Sequence, residues 1–311
     1  MAKASSIKTK SKWQRVKEYK LLYLLMIPGF AWLIVFHILP LFGIVIAFQD
    51  YNPMVGILDS EWVGLEHFKT LVTSKTFLRV LGNTLKISGA KIFLGFPIPI
   101  ILALLIHSCK NKYFKRFVQT CSYLPNFLSW VVVVGISFTL FNPYYGVLQN
   151  ICEALGIGYT DITTNSDTFV GFLVGSAIWK GMGMQSIIYL AALSGMDMEM
   201  FEAATVDGAN RAQKLWYITI PSIAPTCAIV LILAVGGLLS GDFEQIYLFA
   251  GENAQLLSIS DVFETFVYRN GIRAAEFSFP AAVGLFQSFF ACILVLLTNW
   301  LSKKFGYEGI W

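Results

Sequence analysis

Charge is what this chain has least of. Only 14% of its 311 residues are Asp, Glu, Lys or Arg, while 56% are hydrophobic; a soluble domain carries roughly 25% charged residues. That balance excludes an ordinary water-soluble domain and puts the chain in a bilayer. Histidine is scarce, with three residues far apart. The five cysteines, at 109, 121, 152, 227 and 292, show no CxxC spacing. Neither a zinc site nor a disulfide framework is written here, and the cysteines read as small buried hydrophobes. No glycine is followed by lysine, so the phosphate-cradling loop that needs Gly-Lys and then Ser or Thr is absent. A cleavable leader is not expected either. The first twenty residues, MAKASSIKTKSKWQRVKEYK, are basic throughout, no small-residue cleavage site follows, and the next apolar run is too long for an h-region.

What the chain has instead is long apolar runs. A spanning helix needs about 20 mostly apolar residues. Stretches poor in Asp, Glu, Lys and Arg fall at 21–49, 84–109, 117–141, 168–194, 215–241 and 277–302, the third ended by the turn signal NPYYG. Backbone groups cannot stay unpaired in lipid, so the six runs are expected to be helices; a barrel would alternate in ten-residue strands. The expected architecture is all-α and polytopic, in three parts: a basic tail 1–20, a six-helix domain 21–302 and a tail 303–311.

Orientation follows from the basic residues. Seven lie in the N-terminal tail, four between the second and third runs (Lys110, Lys112, Lys115, Arg116), Arg211 and Lys214 between the fourth and fifth, and Lys303 and Lys304 at the end. None lies between Asn142 and Asp167. Both termini and the basic loops are therefore expected on the cytoplasmic side. Trp13, Trp62 and Trp300 near run ends suit interfacial anchoring, and Lys86 and Lys91 are expected to snorkel to the outer interface.

One loop, 197–214, is unusually structured for a loop. Asp197 is placed to cap a short helix, MEMFEAATV, with Met198, Phe201 and Thr205 at helical spacing. Gly208 is placed to end it in a left-handed conformation, and Asn210 to cap the next helix, which leads through Trp216 to Pro221 and Pro225. Within it, Glu202, Ala203 and Ala204 are followed after three residues by Gly208, and after nine more by Ile218, Thr219, Ile220 and Pro221. This resembles the EAA loop of membrane subunits of ATP-binding-cassette importers, with Ile220 where leucine is usual and without the proline that commonly precedes the glutamate. YLPNFLSWVVVVGI (123–136), WKGMGMQSIIYLAALSGMD (179–197) and DVFETFVYRNGI with FSFPAAVGLFQS (261–288) resemble the sugar permeases of the polysaccharide and complex-oligosaccharide type.

The resemblance implies a type I importer permease of MetI-like fold in the bacterial cell membrane. It implies a cytoplasmic ATPase dimer carrying ATP and Mg, a second related permease, an extracytoplasmic sugar-binding protein and an oligosaccharide substrate. It assigns coupling to the ATPase to Glu202, Ala203, Ala204, Asp207, Gly208, Ile218 and Pro221, with Asp207 either capping the turn or meeting a basic residue of the partner. The chain itself is expected to hold no cofactor, no metal, no catalytic residue and no nucleic acid.

Candidates for the sugar path come from the residues. Asn126, Ser129 and Trp130 stand at i, i+3 and i+4, and Gln185 and Tyr189 four apart; each either lines the path or packs between helices. Lys180 lies about 18 Å into its run at 1.5 Å per residue. There it must face water or a partner, because a central lysine costs at least about 2.5–3.5 kcal/mol in lipid. It meets either sugar groups or backbone carbonyls and the partner permease. The long outer loop 242–279, with Asp242, Glu244 and Arg269, either docks the sugar-binding protein, gates the path or stays solvated. A gradient-driven secondary transporter or channel subunit is the alternative; it would normally show several deep charges or inverted repeats.

Overall fold

The structure is a computed structural model that describes residues 18–307, 309 and 310. The expected tail 1–20, with Trp13, lies outside the described residues except for 18–20. Among the described residues, thirteen helical segments of five residues or more carry the fold, and a four-residue helix, Gly56–Asp59, lies between the two strands described below. The first, α1 (Lys20–Phe48), is apolar on every side and hardly buried. It widens into a π-turn at Ile34–Ile38 just before Pro40, because a proline has no N–H for the regular ladder and its ring crowds the preceding turn. The chain then makes a two-stranded ribbon, β1 (Gln49–Asp50) antiparallel to β2 (Glu61–Trp62), with Gln49 opposite Trp62. The Tyr51 N–H donates to Ser278 Oγ at 2.8 Å, tying this ribbon to the start of the last helix.

After α2 (Glu66–Thr73), α3 (Lys75–Ser108) is capped by Ser74, whose Oγ accepts from Phe77 N. It breaks at Phe96, where Pro97 restarts the helix. Then come α4 (Lys112–Phe127) and α5 (Trp130–Phe141), α6 (Val147–Ala154) and α7 (Ser166–Ser194). The bracket follows as α8 (Met198–Val206) and the start of α9 (Arg211–Gly236). Next are α10 (Phe243–Ala250), α11 (Ala254–Ser260), α12 (Phe263–Val267) with a π-turn to Arg273, and α13 (Ser278–Lys304).

Among the described residues, four helices (α1, α3, α9 and α13) are long and apolar enough to cross a membrane, and the α4–α5 pair makes five if counted as one broken span. The expected fourth span is α7, 29 residues long. Its length suffices, but its middle is too polar to be counted by composition. That polar middle lies inside the bundle, where α7 packs against α3, α4 and α9, with Lys180 half-buried and Gln185 exposed.

Three expectations need correction. The run 117–141 is not one helix: Leu128 and Ser129 are extended, Ser129 caps α5, and the two halves meet at 104°. The second span begins at Lys75, not near 84. The outer stretch 242–279 is not an open loop but holds α10, α11 and α12. The cysteines differ too: Cys121 and Cys292 are exposed and the other three half-buried, so none is a core residue.

Three apolar clusters hold the bundle. Ile87, Val134, Phe169, Leu173, Ile246, Phe249 and Leu256 join α3, α5, α7, α10 and α11. Leu71, Phe77, Val80, Phe263, Phe266 and Val283 join α2, α3, α12 and α13. At the bracket end, Ala103, Ile106, Tyr189, Leu190, Leu193 and Ile223 join α3, α7 and α9. Gly183 permits the closest crossing. A Cβ there would lie 1.9 Å from the Ser122 carbonyl oxygen and 2.9 Å from Tyr123 N, and backbone cannot give way as a flexible side chain can. Gly183→Ala is therefore expected to cost at least about 1–3 kcal/mol and to lower the melting temperature of the solubilised complex by several degrees.

Candidate functional site

Two features of the fold can do work: the bracket at one end and a cavity in the middle. They are joined by α7.

In the bracket, Asp197 accepts from the Glu199 N–H at 2.9 Å and caps α8. Gly208 follows with φ +80°, a backbone region that residues with a Cβ resist. The turn closes with the Ala209 N–H on the Ala204 carbonyl at 2.9 Å and the Asp207 N–H on that of Ala203 at 3.0 Å. Asn210 then makes a reciprocal cap: its Oδ1 accepts from Gln213 N at 2.9 Å, and Gln213 Oε1 accepts from Asn210 N at 2.7 Å. Lys214 Nζ crosses back to Thr205 Oγ1 at 2.7 Å and lies 5.9 Å from the Phe201 ring centre, bracing α8 against the start of α9.

None of the residues of α8 is buried. Glu202 and Ala203 are exposed and Ala204 is half-buried. The Glu202 carboxylate has no hydrogen bond or ion pair among the described residues. Ala204, Asp207, Gly208 and Ile218 line a shallow hollow of about 340 Å³ together with Lys214 and Tyr217. Ile218 sits in the π-turn Leu215–Thr219 that precedes Pro221. Sequence reasoning missed the apolar side of this surface: Met198, Met200 and Val206 are also exposed, Val206 by 88%.

The cavity, of about 530 Å³, lies between α3, α7 and α9 and is closed on one side by the α4–α5 corner. Lys180 is the midpoint of α7. Its Nζ donates to the Asn126 carbonyl at 3.0 Å and stands 5.4 Å from the Trp130 ring centre. The corner makes this possible, since the break after Phe127 leaves carbonyl groups free that a continuous helix would use. Asn126, Trp130, Lys180, Gln185 and Tyr189 all line the cavity. Ser129 does not; its hydroxyl accepts from Val132 N at 3.3 Å. Asn126 and Trp130 thus meet across a corner, not along one helix face as their spacing suggested. Tyr189 is 2% exposed, packs edge-on to Phe96 at 6.5 Å and belongs to the bracket-end cluster.

Lys91 does not snorkel. It lies sixteen residues into the true α3, and its Nζ donates to Asp242 Oδ2 at 2.5 Å and Gln245 Oε1 at 2.6 Å. Gln245 is fully buried and donates to the Leu173 carbonyl at 2.7 Å and to Ser176 Oγ at 2.9 Å. Asp242 and Lys91 both line the cavity. Lys91 is thus neutralised by a carboxylate, and Lys180 has only a carbonyl and a ring. Lys86 is exposed.

The segment carrying Asp242 is fastened at Gly241. Its N–H donates to Glu264 Oε2 at 2.7 Å, and Gln287 Nε2 donates to Oε1 at 2.8 Å. A Cβ at Gly241 would strike Val262 Cγ2 at 2.6 Å. Burial pushes the Glu264 carboxyl above the usual carboxylate range, with the Gly241 and Gln287 hydrogen bonds opposing it. Glu244 is exposed. Arg269 is held by Asp261, which is buried, through Nη1 at 3.1 Å and Nη2 at 2.5 Å.

Comparison with known proteins adds four findings. A family model described as "Binding-protein-dependent transport system inner membrane component" matches residues 95–306. The chain is similar to the polygalacturonan/rhamnogalacturonan transport system permease protein YteP of Bacillus subtilis (strain 168), 42% identical over 94% of this chain and 91% of the relative. It is also similar to protein LplB of the same organism, at 40% over 95% and 92%. Among solved structures, it matches a chain of a bacterial alginate transporter in complex with alginate pentasaccharide-bound periplasmic protein. The TM-score is 0.88 and the identity 34%, over 97% of this chain and 100% of that one.

Proposed function

The chain belongs to the family of binding-protein-dependent transport system inner membrane components, and from this we propose that it is the multi-pass permease subunit of an ATP-driven sugar importer of the bacterial membrane. Its fold is that of the MetI-like permeases. We read six spans, with α7 as the fourth and the α4–α5 pair as the third, and both termini in the cytoplasm. A second, related permease supplies the other wall of the path, a cytoplasmic ATPase dimer supplies the energy, and an extracytoplasmic protein delivers the sugar.

The observation that carries the reading is the braced, unburied bracket on the same stretch of chain as the cavity wall. Asp197 is about 25 Å from Lys180 at 1.5 Å per residue along α7. A partner that grips Glu202, Ala203, Ala204, Asp207 and Gly208 has a short lever to the helix that lines the path, while Ile218 and Pro221 set how α9 leaves the bracket. Glu202 is the free anion for that partner, and the two alanines let it come close. Nucleotide binding then moves the bracket as a unit and biases the bundle between two packings.

The cavity is the chain's share of the path. Trp130 offers a ring face for sugar C–H groups, Asn126 and Gln185 offer amide groups, and Lys180 offers a cation. A cation of that kind suits an acidic oligosaccharide. In support, relatives are named for transport of polygalacturonan/rhamnogalacturonan and for import of the acidic polysaccharide alginate. Glu244, on the exposed side of α10, is the best placed of the outer candidates to face the delivering protein; Asp242 and Arg269 are taken up by Lys91 and Asp261.

The test is uptake by the reconstituted complex. Oligogalacturonate should enter proteoliposomes only with ATP, the ATPase and the delivering protein, and a neutral oligosaccharide of equal length should enter poorly. Uptake driven by an ion gradient without the ATPase refutes the reading.

A further inference from the structure

We propose that the first two turns of α4 form a binding surface for anionic phospholipid headgroups on the bracket side of the membrane. Lys110, Lys112, Lys115 and Arg116 fall within seven residues, and no Asp or Glu occurs anywhere from residue 67 to 152. None of the four cations has a carboxylate partner among the described residues. Lys112 Nζ stands 5.2 Å from the centre of the Tyr113 ring. Four unneutralised cations so close together repel one another and call for an outside anion.

The arrangement around the helix says which anion. Val118 packs on the cluster of Ala103, Ile106 and Tyr189, and the backbone at Ser122 touches Gly183, so this side of α4 faces the bundle. At 100° per residue the opposite side carries Tyr113, Phe117 and Leu124, exposed by 76%, 63% and 61%. Lys112 and Arg116 lie along one edge of that outer side. An aromatic stripe edged by basic residues at the start of a helix is the pattern of a helix end anchored where headgroups meet acyl chains. The depth agrees, because α4 starts three residues after α3 ends, at the level of Ile106 and Leu193. A soluble polyanion would meet the cations but leave the aromatic stripe in water; a bilayer satisfies both.

The surface is connected to the path. The far end of α4 is the corner whose Asn126 carbonyl holds Lys180. Headgroups that fix the start of α4 also fix that corner.

Each Lys or Arg near an anionic surface is worth about 1 kcal/mol, roughly a fivefold preference, so losing two weakens the attachment about 25-fold. The experiment is hydrogen exchange on the whole importer complex in phosphatidylcholine vesicles, with and without phosphatidylglycerol. Amides of 110–124 should exchange several-fold more slowly with phosphatidylglycerol. In Lys112→Gln/Arg116→Gln the difference should vanish while the exchange of α8 is unchanged. Equal exchange in the two vesicles overturns the proposal, as does a difference that survives in the variant. Protection that follows the ATPase in neutral lipid would assign the surface to a protein and equally overturn it. Native mass spectrometry of the unaltered complex needs no variant: it should retain phosphatidylglycerol over phosphatidylcholine, and no preference counts against the proposal.

Discussion

Valine at position 208 is expected to cut transport at least about tenfold, while asparagine at the same position should nearly preserve it. This is the expected result of the backbone at Gly208, whose φ is +80°. A Cβ added there meets nothing within 4 Å, so the penalty is conformational and not a clash. Left-handed backbone costs a residue with a side chain roughly 1–2 kcal/mol, less for Asn and more for a β-branched residue. Relieving it by local rotation would turn α8 away from α9 and break the Lys214–Thr205 brace. Uptake should fall several-fold for Gly208→Ala and at least about tenfold for Gly208→Val, with the ATPase lost from the purified complex in parallel. Equal effects of Asn and Val would show that the bend is not what the bracket needs.

The second large effect is at Lys180. Replacing it by methionine keeps most of the length of the side chain but removes the cation that faces the cavity without a carboxylate. A hydrogen bond to a charged group is worth about 1.5–3 kcal/mol, so uptake of an acidic oligosaccharide should drop roughly 10- to 150-fold, with the complex still assembled. Lys180→Arg should keep much of it. A neutral oligosaccharide should lose little. If acidic and neutral sugars suffer alike, the lysine serves only the Asn126 carbonyl and the corner; if uptake is unchanged, it serves neither.

What was legible in the sequence was local. The bracket could be read because its determinants act over three or four residues: Asp197 on Glu199, Asn210 on Gln213, a glycine between them. The apolar runs could be read because length and composition suffice for a spanning helix. Scanning for charge-free stretches then produced the errors. It began the second span near 84 because Lys75, Arg79, Lys86 and Lys91 interrupt the run, and it therefore put Lys91 near a helix end, where snorkelling is the natural reading. With the helix starting at Lys75, Lys91 is as deep an anomaly as Lys180. Its partner Asp242 stands 151 residues away, and no local pattern records that pairing. The corner at Leu128 and Ser129 was hidden for the opposite reason: apolar residues run straight through it, and the clues were a proline at 125 and a serine fit to cap. The outer stretch looked like a loop because it is short of long runs, yet α10 buries Ile246 and Phe249 in the core.

α1 touches the rest of the chain through its last turns, Phe42–Phe48 against α13, and leaves most of its apolar length uncovered. Lipid tails are as greasy as leucine, so such a segment gains little by collapsing onto its neighbours. Insertion and assembly are therefore separable for this chain. The leading helix is long and apolar enough to span without help, and neither the three apolar clusters nor the cavity wall draws a residue from it.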